Sequence, residues 1–122
     1  MEYQASAKYL RISTRKMRLV ADAIRHLPPI RALSALSLLP KRGGLVLRDV
    51  LASAIANAKQ KNAKEETLRT ARIIVSEGPR MKRWQAASRG MAHPYKKRMT
   101  HITVVLTDDS KDLKEPIVKK GK

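Results

Sequence analysis

The chain has 122 residues, with 27 Lys and Arg against 10 Asp and Glu, a formal charge of +17 and a sequence pI near 10.9. That length fits one domain with an arm or tail, and so one-sided a charge points to a nucleic acid or an anionic membrane surface as partner. The absence of Cys excludes a disulfide framework and a thiolate metal site. No run approaches the roughly 20 apolar residues of a membrane span.

The start, MEYQASAKYLRIS, lacks the apolar stretch of a signal peptide, and Glu2 speaks against a transit peptide. A soluble, cytoplasmic protein is the expectation. Tyr3–Leu10 alternates, Tyr3, Ala5, Ala7 and Tyr9 against Gln4, Ser6, Lys8 and Leu10, which predicts a strand. Ser13 is placed to cap a helix from Thr14 to about His26, in which Met17, Val20, Ala21 and Ile24 form an inward stripe. Pro28-Pro29 ends that helix, and Pro29 opens a second, short one through Leu39. Pro40 to Gly44 reads as a basic turn. From Leu45 to about Asn62 runs the strongest helical pattern, with Leu47, Leu51, Ala54, Ile55 and Ala58 on one face and Val50 beside them. Lys59 to Glu66 is a polar linker into a second strand, Arg69–Glu77, where Ala71, Ile73 and Val75 share a face. In the last strand, Ile102–Thr107, Ile102, Val104 and Leu106 do the same.

Between those two strands lies PRMKRWQAASRGMAHPYKKRMTH, residues 79–101: 23 positions with seven Lys or Arg and no acid. Connections this long are uncommon inside a compact domain and are usually functional or disordered. If the flanking strands continue through it, each side of about 11 residues would project on the order of 35 Å as a ribbon. An isolated two-stranded ribbon is marginal in water, so a partner would have to hold it. Lys and Arg suit phosphates, Trp84 and Tyr95 suit stacking on splayed bases, and Gly90 permits a bend near the middle. The expected fold is α+β: three helices on one face of a three-stranded antiparallel sheet, two of whose strands extend into a long basic hairpin arm. Residues 1–109 form one domain that includes the arm, and 110–122 form a flexible tail.

Reactive chemistry is hard to place. His26, His93 and His101 have no ligand-like spacing, Gly43-Gly44 lacks the frame of a phosphate loop, and the acids are scattered. No metal, cofactor, small-molecule substrate or enzymatic activity is expected. Charge is different. Arg15, Arg18, Asp22 and Arg25 share a helical face, where an Arg18–Asp22 pair would be the plain structural explanation. However, these cations crowd a helix N-terminus, where backbone amides and the helix dipole already favour phosphate.

Four stretches carry a family resemblance: Ser13 to Asp22 (STRKMRLVAD), Ser53 to Ala58 (SAIANA), Glu77 to Arg83 (EGPRMKR) and Lys97 to Val105 (KRMTHITVV), with Gly90 between the last two. In this order and spacing the chain resembles the bacterial-type large-subunit ribosomal protein number twenty-two family, over about residues 5 to 109. The resemblance implies binding of large-subunit rRNA and contact with neighbouring large-subunit proteins. It also implies a globular part on the subunit surface near the peptide exit, and a hairpin whose tip lines the tunnel of the nascent polypeptide. The rRNA-binding residues expected are Lys8, Arg11, Ser13, Arg15, Lys16 and Arg18 from the first part of the chain. From the arm come Arg80, Lys82, Arg83, Trp84 and Arg89, then Tyr95, Lys96, Lys97, Arg98 and His101. The tip spans Gln85, Ala86, Ala87, Ser88, Arg89, Gly90 and Met91. The family pattern usually has Pro-Arg and a further basic residue where Ala86, Ala87 and Met91 stand, so only Arg89 charges this tip. The turn after the first helix, usually Arg-Gly, here reads Arg25-His26-Leu27-Pro28-Pro29.

The reading that results is a structural, ribosome-bound rRNA-binding protein in the cytoplasm. The alternative is a free nucleic-acid-binding regulator using the first two helices as a helix-turn-helix. Pro28-Pro29 in the turn and the lack of a base-reading polar helix count against it. A membrane-active basic protein would need bulky apolar anchors on an amphipathic helix.

Overall fold

The computed structural model of the protein describes residues 1–108. The tail expected over 110–122 lies outside the described residues. In chain order the elements are β1 (Glu2–Leu10), α1 (Thr14–Ile24), α2 (Pro29–Leu38), α3 (Arg42–Gln60), β2 (Arg69–Glu77), β3 (Met81–Ala86), β4 (Ala92–Lys97) and β5 (Thr100–Thr107). Short 3-10 turns stand at Glu65–Thr67 and Ser88–Gly90.

The α+β expectation is met. β1, β5 and β2 form an antiparallel sheet in that order, so the last strand is the central one. Its sequence, THITVVLT, explains the placement: β-branched residues fit a pleated, covered surface, and a central strand satisfies its backbone groups on both sides. Register puts Tyr3 opposite Leu106 and Ala5 opposite Val104 on one side. On the other, Ile73 faces Val104 and Val75 faces Ile102. Those residues line a single face of the sheet, which the helices cover.

Met17, Val20, Ala21 and Ile24 of α1 are buried, as the spacing predicts. So are Leu47, Val50, Leu51, Ala54, Ile55 and Ala58 of α3. The core is real but small, and Tyr3 is its one large aromatic. Burying a Leu or Ile contributes on the order of 1.5–3 kcal/mol, so a handful of these side chains hold the unit together.

The start of α3 departs from expectation. Residues 42–44, expected in a turn, form the first turn of α3. Gly43 and Gly44 are there because the backbone is crowded, not because it bends. A Cβ on Gly43 would sit 3.3 Å from Val20 Cγ2, and one on Gly44 would sit 3.2 Å from the Leu36 carbonyl. The helix is brought that close to α1 and α2 only because it starts with two bare positions.

The packing of α2 counts further against the helix-turn-helix alternative. α2 buries Ala32 and Leu36 in the core and exposes Ile30 and Leu38. Its Ser34 and Ser37 hydroxyls donate back to the Ile30 and Leu33 carbonyls. That leaves Ile30 and Leu38 on the side of α2 that a DNA groove would have to meet.

β3 and β4 pair with each other in a second, two-stranded sheet. The flanking strands therefore do not run on unbroken. The three-stranded sheet ends at the Glu77–Thr100 pair, and the ribbon begins at the Met81–Lys97 pair. Between them the Gly78 N–H donates to the Met99 carbonyl at 2.9 Å and carries the register across the break. A Cβ at Gly78 would lie 3.1 Å from Met99 backbone, so the two chains touch there.

Candidate nucleic-acid interface

Three elements meet around a cleft of about 730 Å³. The Arg11–Ser13 connection and α1 supply Arg11, Ser13 and Lys16; the start of α3 supplies Lys41 and Arg42; the end of the ribbon supplies Lys96 and Arg98. Six cations therefore line one concavity, with no acid among the lining residues. Leu19 and Val20 form an apolar floor and lip. The connection is held in place by the Thr100 hydroxyl, which donates to the Ile12 carbonyl at 2.6 Å and is itself buried.

Both helices that open onto the cleft begin bare. Ser13 stands at the N-cap of α1 in extended conformation but makes no side-chain capping bond, and Lys41 at the N-cap of α3 makes none either. Neither helix carries an acid in its first turn. The first amides of a helix ordinarily find a side-chain acceptor or an anion. Here two such ends, with their dipoles, face a concavity that already gathers positive charge. Like charges held in one concavity repel until an anion enters.

The ribbon adds a second cationic surface. Cross-strand pairs fix its faces: Met81–Lys97, Arg83–Tyr95 and Gln85–His93 on one, Lys82–Lys96, Trp84–Pro94 and Ala86–Ala92 on the other. Each face thus combines cations with an aromatic ring. Trp84 is 71% exposed and Tyr95 41% exposed, too open to be core residues. Lys82 directly opposite Lys96 is a destabilising pairing in water. Pro94 lacks an N–H and is tolerated because a two-stranded ribbon has only edge strands. At the tip, Arg89 and Gly90 both have positive φ, 59° and 67°. Ala87 N–H donates to the Met91 carbonyl at 2.8 Å, closing the loop.

Where the base of the ribbon meets the sheet, Glu77 draws cations to itself. Its carboxylate accepts from Arg80 at 2.8 Å. That bond and the Arg80 charge hold Glu77 below the ordinary glutamate range, with Arg98 and Arg18 adding to the pull. Arg18 also reaches toward the Val75 carbonyl, while Asp22 pairs with Arg25 at 2.8 Å and not with Arg18.

The expected residues thus separate. Arg11, Ser13, Lys16, Lys96 and Arg98 converge on the cleft. Lys82, Arg83, Trp84, Tyr95 and Lys97 spread over the ribbon, and Arg89 sits at its tip. Lys8 and Arg15 are exposed but do not line the cleft. Arg80 is engaged by Glu77, and His101 is half-buried with its Nδ1 accepting the Tyr9 N–H. Lys41 and Arg42 were missed. Lys-Arg-Gly-Gly reads as a turn, and only the helix start at Arg42 turns that basic pair toward α1. Among the described residues no cluster of His, Cys, Asp or Glu could hold a metal ion, and no helix is long and apolar enough to cross a membrane.

A small α+β unit that offers a cationic cleft and a cationic ribbon has the surface of a polyanion-binding protein. Its family is specific. Residues 5–107 match the sequence model of the family described as ribosomal protein L22p/L17e, and the chain belongs to that family. It is 48% identical over 109 residues to the large ribosomal subunit protein uL22 of Syntrophus aciditrophicus (strain SB), a match covering 88% of this chain and 99% of that protein.

Proposed function

We propose that this protein is a structural constituent of the large ribosomal subunit in the cytoplasm, held there by large-subunit rRNA. The observation that carries the reading is the cleft: six cations and two uncapped helix starts around one concavity with no acid in its lining. Its mechanism is phosphate neutralisation by a packed surface, with the ribbon laid along folded rRNA and ordered by it. Neighbouring large-subunit proteins share the surroundings. The tip, Gln85–Met91, contributes to the wall of the nascent-peptide tunnel. With Arg89 its only charge, it acts there by shape more than by field.

The test is co-sedimentation with large subunits through a high-salt gradient, comparing wild type with the Arg42→Glu, Lys96→Glu double variant. Wild type should remain bound while the variant is lost to the free pool. In binding to rRNA, each reversal should flatten the salt dependence by about one phosphate contact. Reversal at Lys64, exposed away from the cleft, should leave sedimentation unchanged. Equal loss from both variants would mean that charge acts only in bulk.

A further inference from the structure

Tyr9 lies outside every group assembled above, and its setting is unusual. β1 and β5 pair at Ala7–Ile102 and again at Leu10–Thr100, leaving Lys8 and Tyr9 opposite the single residue His101. This is a bulge, and bulges turn side chains to new directions. Tyr9 has φ 59°, a conformation that a bulky non-glycine residue rarely adopts and that clusters at functional positions. What holds it is a side chain: the Tyr9 N–H donates to His101 Nδ1 at 2.9 Å in place of a backbone carbonyl.

The same histidine fixes the ring. The Tyr9 and His101 rings stand at 85° with centroids 4.9 Å apart. Whichever ring presents its edge, at least one face of the Tyr9 ring is free of His101, and the residue is 61% exposed. Ordinary packing does not explain so costly a backbone supporting an exposed aromatic. The neighbours suggest what does: Lys8 is exposed beside it, and Arg11, two residues on, belongs to the cleft.

Building on the rRNA reading above, we infer that Tyr9 is a stacking platform for an unpaired RNA base, with His101 as its positioning residue. Cations beside a rigid exposed ring are the combination that captures single-stranded nucleotides, because every base has a stacking face. His101 then serves RNA indirectly, by holding the bulge.

The experiment is titration of full-length protein with bacterial large-subunit rRNA freed of protein, at several salt concentrations. Tyr9→Phe should bind like wild type. Tyr9→Leu, which inherits the same backbone conformation, should bind roughly tenfold more weakly, with the salt dependence unchanged because no phosphate contact is lost. His101→Leu should weaken binding in wild type and add nothing in the Tyr9→Leu background, since it acts through Tyr9. Wild-type binding by Tyr9→Leu overturns the inference, including the case where subunit incorporation alone falls and the ring meets a protein. A loss in Tyr9→Phe equal to that in Tyr9→Leu overturns it too, since the hydroxyl and not the face would be the contact. If the Arg42→Glu, Lys96→Glu variant binds this rRNA as wild type does, the underlying rRNA reading fails, whatever Tyr9 does.

Discussion

The helix-covered sheet and the ribbon are made by the same chain under opposite rules. In the sheet unit every element owes its place to buried apolar contact: Met17, Leu36, Leu47, Leu51, Ile102, Val104 and Leu106 are all fully buried. In the ribbon, Lys82 through Ala86 and all of β4 are exposed, and cations oppose each other across the strands. One region holds the buried core and presents charge at its edge. The other spends stability on charge and needs something outside itself to be straight. The rRNA-binding role proposed above would use both, a packed unit to hold the cleft and an open ribbon to extend the cationic surface.

The sharpest way to break this comparison is to damage the core. Leu51→Ala removes a fully buried side chain between α3 and the sheet, and should cost about 2–5 kcal/mol in urea unfolding. Shortening the ribbon to a tight turn between Arg80 and Arg98 should leave the unfolding midpoint nearly where it was. If the shortened protein unfolds as readily as Leu51→Ala, the ribbon is part of the cooperative unit and the contrast drawn here is wrong.

Gly78→Val tests the joint between the two regions. The new side chain meets Met99 backbone at 3.1–3.2 Å, and overpacking of that kind costs about 1–3 kcal/mol. Hydrogen exchange should accelerate in β3 and β4 more than in β2 and β5, because the bond from Gly78 to Met99 is what passes the register outward. Uniform acceleration would place the strain in the sheet itself.

The contrast also explains what the sequence could and could not say. Where burial decides, periodicity was enough: the α1 stripe, the α3 face and the inward residues of β5 are the ones the spacing picks out. Where tertiary crowding overrides local propensity, it was not. Gly43-Gly44 carries a turn signal, yet it is helical and packs so closely on α1 and α2 that a side chain there would press on Val20 or on the Leu36 carbonyl. The cleft shared that blindness, since its six cations come two each from three segments that only the fold brings together. Lys41, Lys96 and Lys16 are far apart in sequence and no local pattern links them. The bulge at Tyr9 is likewise set by a histidine 92 residues away. The basic character of the ribbon, by contrast, needed only composition.

A smaller change separates stability from binding within the ribbon. Lys82→Glu replaces a repulsive pair opposite Lys96 with an attractive one. Cross-strand pairs of this kind are worth roughly 0.2–1 kcal/mol, so the free ribbon should become better ordered by hydrogen exchange. Affinity for rRNA should fall at the same time, because a phosphate contact has become a carboxylate. A variant that gains both order and affinity would mean that Lys82 does not face RNA.

The smallest effect is expected at Glu77, where the two regions meet. Its carboxylate is held below the ordinary glutamate range first by the bond and charge of Arg80, then by Arg98 and Arg18. A depressed carboxylate contributes stability above its unfolded-state value and loses it as pH falls through the folded-state value. The difference in melting temperature between wild type and Glu77→Gln should therefore be slight at neutral pH, given an exposed site, and should vanish below the ordinary glutamate range. RNA binding should respond in the other direction. Removing the carboxylate releases Arg80, and the salt dependence at neutral pH should steepen by up to about one phosphate contact. An unchanged slope would mean that Arg80 belongs to the joint and not to the RNA surface, which would move the boundary of that surface outward to Lys82.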